Sequence, residues 1–311
     1  MCIRLASLPV VLSLALAAAA AQLSGAAQSV MPQGTRQVIS IDYHRLAADP
    51  VAQQLMTQLL PPEVQGLSEL LTRGGLNPAQ DLNRVTFATF QSEKGIGLVG
   101  IAEGNLGGLQ MAKFYQKTAQ QPNPPQIAGV TVYTSGGLTF FMPDSATLVF
   151  GERAAITQAI QTEQGAPTIA QSEEMTDLIA GTQTTDVWSV LDAQGSRAMV
   201  RALIGGATGG LDPSLLDNRF NGARYTITFQ NPVQLNLELM TSDALSAAAV
   251  STGLNAAIAL RQQQEKDLAA KAILSNVQVD SAGNHAFLQV TSPESDLASL
   301  MRSDLMRTIV R

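Results

Sequence analysis

Gly74-Gly75-Leu76-Asn77-Pro78 and Gly209-Gly210-Leu211-Asp212-Pro213 are nearly the same pentapeptide, set 135 residues apart. Each follows a stretch with apolar residues at helical spacing. Leu67, Leu70 and Leu71 precede the first, and Met199, Val200, Leu203 and Ile204 precede the second. Each is followed by a run rich in β-formers, Val85 to Phe90 and Arg224 to Phe229. A Gly pair and a Pro in that order stop a helix and turn the chain.

Working outward, the same order of elements recurs on both sides. Val38 to Asp42 alternates as a strand and opens the first half, and Asp186 to Leu191 opens the second. Asp49-Pro50 starts a helix carrying Val51, Leu55, Leu59 and Leu60. Ser92 to Gly95 turns Val85–Phe90 into Ile96–Ala102, and Asn231-Pro232 turns Arg224–Phe229 into Val233–Met240. A helix follows each hairpin, at Gly108 to Ala119 and from Ser242 to Glu265. The first half continues with strands Val130–Tyr133, Leu138–Met142 and Thr147–Phe150, then a helix from Ala154 to Thr162. The second continues with strands Ile273–Val279 and Ala286–Val290, then a helix beginning at Ser292-Pro293-Glu294.

Short hairpin loops require antiparallel strands. The fold class expected is therefore α+β: two similar repeats, each an antiparallel sheet covered on one face by helices. Two such sheets can join edge to edge, which hides edge strands. The organisation expected is a signal peptide over 1–21, a flexible segment over 22–36, a first repeat over 37–165, a connector with a short helix over 166–185, and a second repeat over 186–311.

Met1 to Arg4 is a short basic start, Leu5 to Ala21 is uncharged, and Ala19-x-Ala21 is an A-x-A cleavage site before Gln22. Ala27 is a later alternative, and an uncleaved anchor is the competing reading. Cys2, the one cysteine, precedes the apolar region and does not suit a lipoprotein. Cleavage leaves no thiol for a disulfide or a zinc site. Loss of Arg4 makes the chain one unit more acidic than its formal −6. That charge, without a Lys/Arg cluster, argues against nucleic acid, and Arg302, Arg307 and Arg311 read as a helix-end feature. No second long apolar run is evident, so no membrane span is expected after cleavage.

The opening strand, the D-P-x-A helix start, Gly75 to Val85 and Thr147-Leu148-Val149-Phe150-Gly151 together resemble a recurring type of exported bacterial protein with a duplicated α+β body and no established activity. The resemblance spans most of the mature chain, but its motifs are turn and strand residues. It implies fold and compartment and carries no catalytic residue.

Motifs with chemical meaning are sparse. Gly95-Ile96-Gly97-Leu98-Val99-Gly100 spells a dinucleotide fingerprint, but it lies inside a returning strand and opens no helix. Gly205 to Gly210 lacks the Lys-Ser/Thr of a phosphate loop. His44 and His285 lack ligand spacing, although the fold could pair them. Ser135 sits in a hairpin turn without a nucleophile elbow. Glu173 and Glu174 read as first-turn acids behind the N-cap Ser172. Asp42, Asp144 and Asp192 lie near strand ends and could converge as a carboxylate pair, although the equivalent places of Asp42 and Asp192 favour a structural role. Trp188 reads as a core anchor.

No catalytic, cofactor-binding or metal residue is assigned, and no cofactor is expected. The reading is an exported, non-catalytic protein of the periplasm, envelope or extracellular space. It acts by binding a macromolecule or by assembly, with a protein or envelope component as partner. A homodimer through the Ala-rich helix from Ser242 to Glu265 is compatible with this. The alternatives are a cofactor-independent hydrolase using carboxylates such as Asp42 and Asp144, and a carrier of small apolar ligands.

Overall fold

The computed structural model describes residues 21–47, 49, 52–53, 62–92, 95–107, 124–135, 137–204, 219–266, 268–293 and 296. In chain order the elements are α1 (Gly25–Val30), β1 (Thr35–Asp42), α2 (Tyr43–Ala47), α3 (Pro62–Arg73), α4 (Pro78–Asp81), β2 (Leu82–Ser92), β3 (Gly95–Gly104), β4 (Gln126–Ile127), β5 (Val130–Thr131), β6 (Tyr133–Ser135), β7 (Leu138–Asp144) and β8 (Thr147–Gly151). There follow α5 (Arg153–Glu163), α6 (Glu173–Ala180), β9 (Val187–Leu191), α7 (Ala193–Ile204), β10 (Phe220–Thr228), β11 (Val233–Thr241), α8 (Ala244–Gln264), α9 (Leu268–Ser275), β12 (Gln278–Ala282) and β13 (His285–Ser292). Apart from residues 52, 53 and 296, which are helical, the helices expected at 50–60, 108–119 and 294–311, and both glycine-rich stretches between 205 and 213, lie outside the described residues.

Eleven strands form one sheet in the order β12-β13-β11-β10-β9-β1-β2-β3-β8-β7-β6. The ladders between neighbours are antiparallel. The sheets of the two halves join at β1 and β9, where Val38 faces Val190 and Ile41 faces Val187. Moving outward from this seam, one side meets β1, β2, β3, β8, β7 and the other meets β9, β10, β11, β13, β12. The isolated pair β4–β5 stands apart from the main sheet.

Alternation along the strands sorts side chains onto two faces. Face A carries Ile41, Val85, Phe87, Phe140 and Phe150, buried under Leu46 of α2 and Leu67, Leu70 and Leu71 of α3. It continues across the seam as Tyr225, Leu235, Leu237, Leu239 and Leu288, under Met199 of α7, Val250, Leu254 and Ile258 of α8, and Ile273 of α9. Face B carries Val38, Ala88, Phe90, Val99, Ile101, Val149, Trp188 and Val190. Over these lie α1, α5 and α6, through residues such as Ala27, Val30, Ile156, Ile160, Met175 and Leu178.

Three expectations need correction. Helices cover both faces around β1, β2, β3 and β8, where one face was expected to be covered. The cause is visible in the strands: Val85 to Ala88 are all buried, as are all five residues of β8, and a strand buried on both sides reads as a continuous apolar run. Residues 22–36 are not a free lead-in. Ser24 caps α1 by accepting from the Ala27 N–H at 3.0 Å, and Ala27, Val30 and Met31 are fully buried. The expected strand from Ile273 to Val279 begins at Gln278 instead. Leu268–Ser275 is helical, which suits its Ala and Leu content and places Ile273 and Leu274 under the sheet.

Candidate functional site

Beyond β9 and the part of β10 that α6 reaches at Arg224, no described helix covers face B of the second half. Register places its side chains in rows across the strands. One row runs Thr226, Asn236, Gln289, Gln278, and the next runs Arg224, Glu238, Phe287, Asp280. A third is Thr228, Gln234, Thr291, and Met240 stands opposite His285. Their alternate neighbours Tyr225, Leu237 and Leu288 are buried, so polar residues at the odd-face positions follow from strand periodicity. Gln234, Asn236, Gln278 and Gln289 are exposed. Among the described residues their amides make no hydrogen bond.

One charged constellation sits in this array. The Arg224 guanidinium donates Nε–H to Glu238 Oε2 at 2.5 Å and also bonds the Gly181 carbonyl at the end of α6. His285 Nδ1 lies 2.7 Å from Glu238 Oε1, and the His285 ring stacks on Phe287 with centroids 6.1 Å apart and planes 11° apart. Burial pushes the Glu238 carboxyl up, but the hydrogen bond and charge of Arg224, with those of His285, outweigh it and hold the group below the usual range. The cluster ties α6 to three strands. Glu238 pairs with Arg224, and the face presents amides, hydroxyls, the His285–Phe287 ring pair and the Asp280 carboxylate.

A second carboxylate, this one buried, lies at the seam. Asp186 is 3% exposed; its Oδ2 accepts from the Phe229 N–H at 2.7 Å and its Oδ1 pairs with Arg45 of α2 at 3.1 Å. It fastens the β10–β11 hairpin and α2 to the start of β9.

The acids singled out in the sequence are placed separately. Asp42 accepts from the Arg45 N–H at 3.1 Å and opens α2; Asp192 accepts from the Gly195 N–H at 2.6 Å and opens α7. Burial, then the nearby Glu174, raise Asp192, against the lowering effect of the Gly195 N–H. Asp144 closes the β7–β8 turn on the Ala146 N–H at 2.7 Å and the Thr147 hydroxyl at 3.2 Å. A register row runs from Asp42 through Arg84 and Glu103 to Thr147, so Asp42 and the Asp144 turn are separated by three strand spacings, about 14 Å. A glycosidase-type pair needs about 5–10 Å.

The remaining motifs have local explanations. His44 is exposed on α2, and three strands separate β1 from the β13 that carries His285, so the two are not brought together. Ser135 ends β6 opposite Leu138. Ser172 caps α6, and Glu174 reaches over to accept from the Ala193 N–H at 2.8 Å. Gly97 and Gly100 make room for aromatic rings: a Cβ would lie 2.8 Å from the Phe90 ring at the first and 2.2 Å from the Phe150 ring at the second. Cross-strand rings explain the small residues. Trp188 is buried on face B at the centre of the sheet. By length and composition α8 is the kind of apolar run that the sequence reading did not find, long enough to cross a bilayer; it packs Val250, Leu254 and Ile258 on face A. Its Ser251 hydroxyl donates to the Asp280 carbonyl at 2.7 Å, blunting the β12 edge.

The fold is a mixed α+β body with a large antiparallel sheet. No family model and no curated protein matches the chain. Among solved structures it is similar to TP0453 in crystal forms I, III and IV, at 12, 11 and 10% identity. The alignments cover 88, 88 and 89% of this chain and 95, 96 and 96% of TP0453, with TM-scores of 0.48, 0.51 and 0.48. At such identity the likeness, carried by form III, concerns the fold alone.

Proposed function

We propose that the chain is exported to the periplasm or beyond and acts without catalysis, by binding a macromolecule or by assembly. One observation carries the reading: face B is buried under α1, α5 and α6 over the first half and β9, and across β10, β11, β13 and β12 it presents an open array of unspent amides and hydroxyls. An open sheet face suits a large partner better than a small substrate, which needs an enclosing pocket. The ionisable groups near it are used in caps and cross-strand pairs, which is their structural use.

The two halves descend, on this proposal, from one duplicated unit. Strand order outward from the seam supports it. So do Asp42 and Asp192, which open α2 and α7 in the same way, and the reciprocal bonds Asp42 N–H to the Asp186 carbonyl and Asp192 N–H to the Arg36 carbonyl, both 2.8 Å. Divergence of face B after duplication would then be the functional step.

Photo-crosslinking in the native cell envelope tests the binding face. A photoreactive residue at Asn236 or Gln289 should give a discrete adduct that the same residue at the exposed Leu245 of α8 does not give. Equal labelling at all three positions, or none, refutes the reading.

A further inference from the structure

Two of the open rows of face B carry hydrogen-bonding groups and no charge. Thr226, Asn236, Gln289 and Gln278 stand in register on the adjacent strands β10, β11, β13 and β12. Asn236, Gln289 and Gln278 are exposed and Thr226 is half-buried; their amides and hydroxyl find no partner among the described residues. Neighbouring strands lie about 4.7–4.9 Å apart, so this row offers one hydrogen-bonding side chain per step over about 14 Å. Trp188 continues it on β9, buried beside α6, which closes the lane at that end. Beyond Gln278 the lane runs out at the edge strand β12. Thr228, Gln234 and Thr291 make a parallel row on one side. On the other side stands Phe287, its ring stacked on His285, which Glu238 holds at 2.7 Å.

The side chains discriminate between classes of partner. An anionic polymer needs free cations. Arg224 is occupied by Glu238 and the Gly181 carbonyl, and the charge outside that cluster is the Asp280 carboxylate. A docking helix or strand segment of a protein needs large apolar anchors. The large apolar side chains here are Phe287 and Met240, both half-buried. A carboxamide carries donor and acceptor together, which matches the paired hydroxyls and acetamido groups of a sugar, and a fixed aromatic ring beside it takes the C–H face of a pyranose. We propose that these rows bind an uncharged, β-linked glycan laid across the strands, one side chain of the Thr226–Gln278 row to each sugar and Phe287 against a ring face. An extended β-linked chain repeats at close to the strand spacing. Rotation about its linkages lets it follow the turn of about 20–25° from strand to strand, which a rigid helix does not. The proposal rests on the reading of face B as the binding face and names the partner of that face.

Calorimetric titration of the full chain with a soluble hexamer of β-1,4-linked N-acetylglucosamine tests it, with the α-1,4-linked glucose hexamer as linkage control. The first should bind and the second should not. Gln278→Ala combined with Gln289→Ala removes two exposed amides without touching the core, and should leave the melting temperature unchanged while weakening binding about tenfold. Thr252→Ala, exposed on α8 at the opposite face, should bind as the parent does. No binding of the β-linked hexamer, equal binding of both hexamers, or full affinity in the double variant overturns the glycan. In that event a discrete protein adduct from a photoreactive residue placed at Gln289 leaves face B standing as a binding face with a protein partner, and the lack of any adduct removes that reading as well.

Discussion

Gly100→Ala tests whether the glycines of the Gly95–Gly100 string exist to seat aromatic rings. A Cβ at Gly100 would stand 2.2, 2.5 and 2.7 Å from three atoms of the Phe150 ring. Ordinary carbon contacts begin near 3.5 Å, so the ring must retreat by more than 1 Å. It has no room to do so cheaply. Phe150 is fully buried and meets Phe87 edge-on, with centroids 6.0 Å apart and planes at 89°. Overpacking of this kind costs about 1–3 kcal/mol. The lower backbone entropy of Ala in the unfolded chain returns about 0.5–1 kcal/mol. The net loss is about 0.5–2 kcal/mol, or a melting temperature lower by about 1–4 °C for a chain of this size. Thermal and urea unfolding measure it. Gly34→Ala is the control, because a Cβ there meets nothing within 4 Å. Phe150→Leu should relieve the clash, so that Gly100→Ala costs less in that background than alone. A Gly100→Ala protein as stable as the parent refutes the reasoning.

Asp186→Ala should destabilise by about 2–4 kcal/mol, because the Phe229 N–H loses its partner in a buried setting and Arg45 loses its anion; Asp186→Asn, which keeps an acceptor, should recover part of this in the same urea titration. Alkaline unfolding should report Tyr225, whose hydroxyl burial pushes up to about 12. Its raised value means the stabilisation is whole below pH 10, where the unfolded tyrosine is still protonated, and fades by about 2–3 kcal/mol as pH climbs to 12. Tyr225→Phe should flatten that decline relative to the parent, and parallel curves would show that Tyr225 stays accessible to base.

Much of the architecture was readable because hairpins announce themselves locally. Asn231-Pro232 and Ser92–Gly95 sit between β-rich runs, and β10–β11 and β2–β3 are where those turns put them. α1 escaped notice because six residues give no period, and its alanines merge with the small residues of the leader. The strand misread at Ile273–Val279 shows the limit of apolar runs: Ile273 and Leu274 are buried by a helix as well as by a strand. The Arg224–Glu238–His285 cluster was not legible at all. Arg224 and Glu238 meet only once the hairpin register is set. His285 joins them from β13, which pairs with β11 after the whole of α8 and α9 has intervened. The separation of Asp42 from Asp144 likewise depended on counting strands that sequence spacing does not order.

The seam between β1 and β9 has a consequence for how copies of this chain meet. Each half ends at its inner strand, and the outward backbone edge of that strand is satisfied by the opposite half, its other edge by β2 or β10. Any neighbour molecule carries the identical ladder, so a half released from its own mate finds an equally good one next door. Crowded refolding should therefore trade halves between molecules, yielding intertwined dimers whose every local contact matches the single chain.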